Sequence, residues 1–131
     1  GAAHRFGTKE TVPTDNWTAG GLSTSIDLQS GILGNSALNP RGEALKWTDH
    51  HPDTGVKIKG ARLKNWDLAC KKITEIAQFL HYCPYIGWDI IFTEEDFYIL
   101  EANDSPDIHI IQIHKPLLET PSNEKFFSTY F

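Results

Sequence analysis

Methionine is absent from all 131 residues, position 1 included. This absence suggests an excised piece of something longer, or a processed product. Cysteine is scarce. Cys70 and Cys83 are too few for a disulfide scaffold, and their apolar neighbours mark them as buried free thiols in a reducing cytoplasm. No apolar run approaches the roughly 20 residues of a membrane span, and no signal peptide opens the chain. Positive charge is short as well. Twelve Lys and Arg against seventeen Asp and Glu leave a net charge of −5 with no basic cluster, which argues against a nucleic-acid partner. A nucleotide held by a metal and a few local cations stays compatible with that balance.

Familiar catalytic signatures are missing too. There is no Walker A loop, no GxGxxG opening a helix, and no G-x-S-x-G element. Cys83 sits beside Pro84 without an obvious base. His50 and His51, flanked by Asp49 and Asp53, resemble metal ligands superficially. Adjacent histidines in an extended segment point to opposite sides, however, and no second His/Cys cluster has zinc-site spacing. A structured loop or a substrate contact is the better reading there. The four tryptophans could form a sugar-stacking set, but Trp66 lies on a helix's core face and Trp88 in a strand, where packing explains them.

What the chain does have is one domain's worth of ordinary globular sequence, residues 1–131, long enough to bury about two-thirds of its unfolded surface. Gly1 to Thr14 reads as a loop or a cut strand. Asp15-Asn16-Trp17-Thr18-Ala19-Gly20-Gly21 is dense in turn formers. Leu22 to Leu28 alternates apolar with polar, Gln29-Ser30-Gly31 turns, and Ile32 to Leu38 returns, predicting a hairpin. Asn39 to Gly60 is a loop broken by Pro40, Gly42, Pro52, Gly55 and Gly60. Asn65 is placed to cap a helix from Trp66 to His81, with Trp66, Ala69, Ile73, Ile76, Ala77 and Leu80 facing the core. Ser105-Pro106-Asp107 starts a short helix to about Lys115, and Leu117 to Phe131 is an aromatic tail. The order predicts an α+β fold: an antiparallel β-sheet with helices packed on one face.

The chemistry concentrates in Gly87 to Asn103, GWDIIFTEEDFYILEAN. Ile86–Phe92 and Phe97–Ala102 flank Thr93-Glu94-Glu95-Asp96 and read as a second hairpin. Asp89 and Glu101 intrude on these apolar strands, and Asn103 shares Glu101's face. An even loop, Thr93 to Asp96, pairs Phe92 with Phe97 and Asp89 with Leu100. An odd loop pairs Asp89 with Glu101 and Gly87 with Asn103. Opposed Cβ atoms lie roughly 4.5–5.5 Å apart, where like charges repel unless something bridges them. We expect the odd loop, with a hard divalent cation such as Mg²⁺ between the strands. The plainer alternative is a hairpin whose acids are solvated.

Several blocks, in order, resemble one family. Arg5-Phe6-Gly7, Asp15-Asn16 with Gly20-Gly21, Ile26 to Gly31, His51-Pro52-Asp53-Thr54-Gly55, Gly87-Trp88-Asp89-Ile90, Leu100-Glu101-Ala102-Asn103, and Pro106-Asp107 with Gln112 are similar to the C-terminal part of sugar-transfer-associated ATP-grasp proteins, a group related to α-L-glutamate ligases. The likeness runs from about Arg5 to Leu118. It implies an ATP-grasp C-terminal catalytic subdomain, with Asp89, Glu101 and Asn103 as ligands of Mg²⁺ (or Mn²⁺) holding the phosphates of ATP. It further implies Arg5 as a residue steadying the phosphoryl group, Asn16 near the phosphates, and a carboxylate substrate activated as an acylphosphate for attack by an amine. The upstream lobe that supplies phosphate-clamping lysines and the adenine site has no counterpart in these residues, and the turn TEEDF lacks the glycine the family often carries there. The chain is therefore expected to bind Mg–ATP poorly alone. A non-catalytic glycan-binding or scaffold module is the competing reading, and phosphoryl transfer to a sugar is a third.

Overall fold

The computed structural model describes residues 1–39 and 43–131. Pro40 and Gly42, two of the breakers assigned to the loop after Leu38, lie outside the described residues. Four strands, β1 (Ala3–Phe6), β2 (Leu22–Ile26), β3 (Leu33–Leu38) and β4 (Lys46–Thr48), pair antiparallel in chain order. β4 is a strand inside the stretch read as loop. Its three residues are too few for alternation to be visible, and pairing with β3 makes it. A separate two-stranded sheet, β5 (Gly87–Phe92) with β6 (Phe97–Asn103), carries the acidic hairpin. The class is α+β with antiparallel strands throughout.

Period two sorts the four-stranded sheet into two faces. Phe6, Leu22 and Leu38 are cross-strand neighbours. With Leu33, Ile26, Ile58 and Leu63 they make the core, in which the buried Leu22, Leu33 and Ile58 each contribute about 1.5–3 kcal/mol. The opposite row runs Arg5, Ser23, Ala37, Trp47. Ser23 and Ala37 are fully buried; α2 (His109–Gln112) lies against β2 at Ser23, and Trp17 Nε1 donates to the Ala37 carbonyl at 2.9 Å. Ser23 Oγ donates to the Ile110 carbonyl at 2.6 Å and sits 3.0 Å from His114 Nε2. The serine proton is committed to the carbonyl, so His114 Nε2 donates. Trp47 meets the same imidazole edge-on at 5.5 Å.

The β2–β3 turn is built around Asp27 and Gly31. Asp27 Oδ1 accepts from Ser30 N at 2.8 Å and Ser30 Oγ at 2.6 Å, and these bonds hold its carboxyl below the usual carboxylate range. Gly31 has φ +69°, and a Cβ there would come within 2.5 Å of Trp66 Cγ. The turn thus seats the first residue of α1 (Trp66–Phe79), whose Nε1 donates to the Leu28 carbonyl at 3.0 Å.

Four expectations about helices change. Asn65 takes the left-handed conformation, φ 60°, and makes no side-chain cap bond to α1; asparagine tolerates that region, so it serves as a bend. Of the anticipated core face only Trp66 and Ala69 are buried, while Ile76 is exposed, because α1 touches the rest of the protein mainly through its first turn. The helix after Pro106 starts later than expected, at His109, where Asp107 Oδ1 accepts from His109 N at 3.0 Å. The aromatic tail is itself helical: α3 (Pro121–Tyr130) has Thr120 accepting from Asn123 N and a proline in its first turn. Phe126, Phe127 and Phe131 gather round Tyr85 at 5.5–6.3 Å. Among the described residues no helix is long and apolar enough to cross a membrane.

Gly31→Ala forces a left-handed alanine against Trp66 and should lower the unfolding free energy by roughly 2–4 kcal/mol, read from urea denaturation. Burial lowers the His114 pKa below its ordinary 6.5. A depressed pKa gives stability that is complete above the unfolded value and lost as pH falls through the folded one. Amide protection factors at residues 109–114, with exchange corrected for its intrinsic pH dependence, should therefore fall on acidification, and His114→Gln should remove that dependence.

Candidate active site

The β5–β6 ladder decides where the acids lie. Phe92 pairs with Phe97, Ile91 with Tyr98 and Ile90 with Ile99, so the loop is the even one, Thr93 to Asp96, and the odd loop is not formed. Thr93 closes it: its Oγ1 donates to the Asp96 carbonyl at 3.0 Å and accepts from Asp96 N at 2.9 Å. An ion pair between Lys64 and Glu94 ties the turn to the segment before α1. The register then shifts by one between Asp89 and Ile90, leaving Leu100 as an extra residue. Beyond this β-bulge Asp89 pairs with Glu101, Trp88 with Ala102 and Gly87 with Asn103. The expected pairing of the acids is present, but a bulge produces it rather than the loop.

The bulge has a physical consequence. One extra residue exchanges the faces of everything beyond it. Phe92 and Phe97 pack together and Phe92 lies 6.0 Å from Trp66, so that face turns toward α1. Ile91 and Tyr98 are exposed on the other face. Without the bulge Glu101 and Asn103 would continue the Phe97–Ile99 side. With it they join Asp89 and Ile91 on the open side.

β1 brings a cation to this face. Arg5 Nη2 lies 3.6 Å from Asp89 Oδ2, and Arg5 Nε lies 3.3 Å from Asp15 Oδ2. All three side chains are between a third and a half exposed, and such pairs contribute only about 0–1 kcal/mol each, too little to hold the fold. His4, preceding Arg5, is kept toward its neutral form chiefly by burial, which lowers its pKa.

Asp15 stands in the sequence as part of the Asp15-Asn16 block, with nothing to mark it as a partner of Arg5. The irregular stretch between β1 and Trp17 offers no periodicity that could link positions 5 and 15. Asn16 stands beside Asp15, but its Oδ1 accepts from Thr18 N at 3.1 Å and from Thr18 Oγ1 at 2.8 Å, capping a single 3-10 turn at Trp17–Ala19. Asn103 closes β6 opposite Gly87. A Cβ on Gly87 would fall 2.3 Å from Pro106 Cβ, so the glycine lets the chain after Asn103 fold back over the ladder's end.

A divalent cation fits this donor set chemically. Two carboxylates and an amide oxygen are hard donors, and Mg²⁺ is held through one or two carboxylates plus waters and phosphate rather than by an all-protein cage. No group of three or more His, Cys, Asp or Glu side chains among the described residues is arranged to hold a metal. The Asp49–Asp53 histidines are otherwise engaged: His50 Nδ1 lies 2.7 Å from Asp49 Oδ1, and His51 Nε2 lies 2.9 Å from the Gly7 carbonyl. Two surface depressions, about 200 Å³ along Arg62–Asp67 and about 650 Å³ around the Thr93–Asp96 turn, lie away from the acids. The acids sit on an open face.

The profile of the sugar-transfer associated ATP-grasp family matches residues 1–122. The chain belongs to this family. No curated protein and no solved structure matches it. The matched span contains Arg5, Asp15, Asp89, Glu101 and Asn103, so the constellation lies wholly within the ATP-grasp region.

Gly87→Val should push Pro106 off β5 and loosen the end of the hairpin. Amide exchange at Asn103 and Trp88 should rise at least about tenfold while Ser23 and Ala37, in the other sheet, stay protected.

Proposed function

We propose that this chain is the metal-holding catalytic part of an ATP-dependent carboxylate–amine ligase. The observation that carries this reading is the cross-strand pair Asp89–Glu101 with Arg5 beside Asp89 and Asn103 two residues on. The reaction would join a substrate carboxylate to the γ-phosphoryl group with release of ADP; an amine then attacks the acyl carbon and phosphate leaves. Asp89, Glu101 and Asn103 would hold Mg²⁺ (or Mn²⁺), which when bound neutralises charge on the phosphates. The Nη1 of Arg5 makes neither of the two ion pairs, leaving a planar donor for a phosphoryl or acylphosphate oxygen. Asp15 holds that guanidinium through Nε. Asn16 would act by shaping the 3-10 turn next to Asp15.

We further infer that the carboxylate and acceptor belong to surface-polysaccharide or peptide-conjugate assembly, with nucleotide contacts supplied by a further lobe; the family's association with sugar transfer supports the first of these. A glycan-binding module is less well supported. Trp17 and Trp66 are buried, with their Nε1 groups donating to the carbonyls of Ala37 and Leu28. Trp47 is half exposed but packs on His114.

Manganese provides a test independent of turnover. Titrated into the chain, Mn²⁺ should first broaden the amide resonances of Asp89, Glu101 and Asn103, and Glu101→Gln should weaken that effect at least about tenfold. Broadening centred on Asp49–Asp53 would refute the assignment. In the full-length protein, Glu101→Ala should lower ATP-dependent phosphate release by about 10²-fold or more.

A further inference from the structure

The block His51-Pro52-Asp53 has no role in the site described so far, yet its side chains converge on one turn. His51 Nε2 lies 2.9 Å from the Gly7 carbonyl, and Asp53 N approaches His51 Nδ1 at 3.3 Å. Asp53 Oδ2 accepts from Lys9 N at 2.8 Å. The His51 ring also meets Phe6 edge-on, with centroids 6.3 Å apart. A carbonyl can only accept and an amide N–H only donate, so the imidazole is the neutral Nε2–H tautomer with both nitrogens engaged.

The turn it grips begins two residues after Arg5 and leads to Asp15. From the other side the same loop is braced by two buried threonines. Thr8 Oγ1 donates to the Gly20 carbonyl at 2.9 Å, and Thr8 N donates to Thr11 Oγ1 at 2.8 Å. Loop 7–15 is thus held between a threonine bracket and the His51–Asp53 clamp. Its two ends carry the groups whose 3.3 Å contact aims the guanidinium. Exposed ion pairs are too weak to fix that aim alone, so the rigidity has to come from the loop.

We propose that His51, assisted by Asp53, is a positioning residue that acts through Arg5 by locking the loop between Arg5 and Asp15. The catalytic half of this proposal rests on the ligase reading; the structural half does not. Nitrogen NMR on the 131-residue chain should show His51 as the Nε2–H tautomer and a slowly exchanging Arg5 Nε–H resonance. His51→Ala and Asp53→Ala should each broaden or abolish that Arg5 signal and speed exchange at Lys9 N at least about tenfold, with the amides of residues 109–114 unchanged. An unchanged Arg5 signal in folded His51→Ala overturns the proposal. Should that variant not fold, Asp53→Ala, which removes the Lys9 contact and leaves the imidazole, is read by the same criterion. In the full-length protein His51→Ala should cut kcat by about tenfold to a hundredfold, keep KM for ATP within about twofold, and add nothing to the loss caused by Arg5→Ala. Additive losses overturn the route through Arg5. A full-length protein with no ATP-dependent activity refutes the ligase reading instead, while the Arg5 resonance still decides the role of His51.

Discussion

The candidate site depends on one extra residue in β6. A regular ladder from the four-residue turn would set Asp89 against Leu100 and send Glu101 toward the aromatic face with Phe97. The bulge at Leu100 separates two demands that a regular strand could not meet together. Phe92 and Phe97 keep the packed side near Trp66. Asp89, Glu101 and Asn103 share the open side, where water, a metal or an anionic ligand can reach them. An aromatic face for stability and an oxygen-donor face for chemistry are thus drawn from one short hairpin. The cost is a single unpaired residue, Leu100, left exposed.

Around that hairpin the backbone does the positioning, because the charges cannot. The ion pairs from Arg5 to Asp15 and Asp89 are solvent-accessible, and exposed pairs of this kind contribute about 0–1 kcal/mol. The backbone of Arg5 is kept in place by its row of cross-strand neighbours, running through the fully buried Ser23 and Ala37, while loop 7–15 sets the aim of its guanidinium through Asp15. Ser23 is pinned by the Ile110 carbonyl and His114, so the short α2 after the hairpin clamps the sheet that carries Arg5. Residues following the acids in sequence thereby fix the cation that faces them.

Hydrophobic period, apolar runs and punctuation make β2, β3, β5, β6 and the long helix α1 legible in the sequence. The site acids were legible for the same reason, since a carboxylate in an apolar strand violates the pattern around it. The route to their pairing was not. A bulge has no composition of its own here, and neither Leu100 nor its neighbours are glycine or proline. α3 was obscured by its aromatics, although Thr120-Pro121 carried a cap and a first-turn proline. Asn65 misled because asparagine suits both a helix cap and a left-handed bend, and only the backbone chooses between them. Asp15 was invisible as a partner of Arg5, because contacts across an irregular loop leave no periodic trace.

The open face also bears on how a metal would bind. Two carboxylates and one amide supply about half of an octahedral shell, and the remainder must come from water or from ligand oxygens. Arg5 adds positive charge beside Asp89, which disfavours a bare cation there and favours one that arrives with negative phosphate oxygens. The two effects point the same way. Under the proposed function such a site would hold Mg²⁺ weakly by itself and more tightly when a nucleotide completed the shell, so that metal and nucleotide affinity would be linked reciprocally. The same arrangement leaves Arg5 paired with acids in the absence of ligand and able to turn its free Nη1 toward a phosphoryl oxygen when one is present. A site that is exposed, half-ligated and edged by one arginine is therefore consistent with chemistry in which the substrate supplies the rest of the coordination.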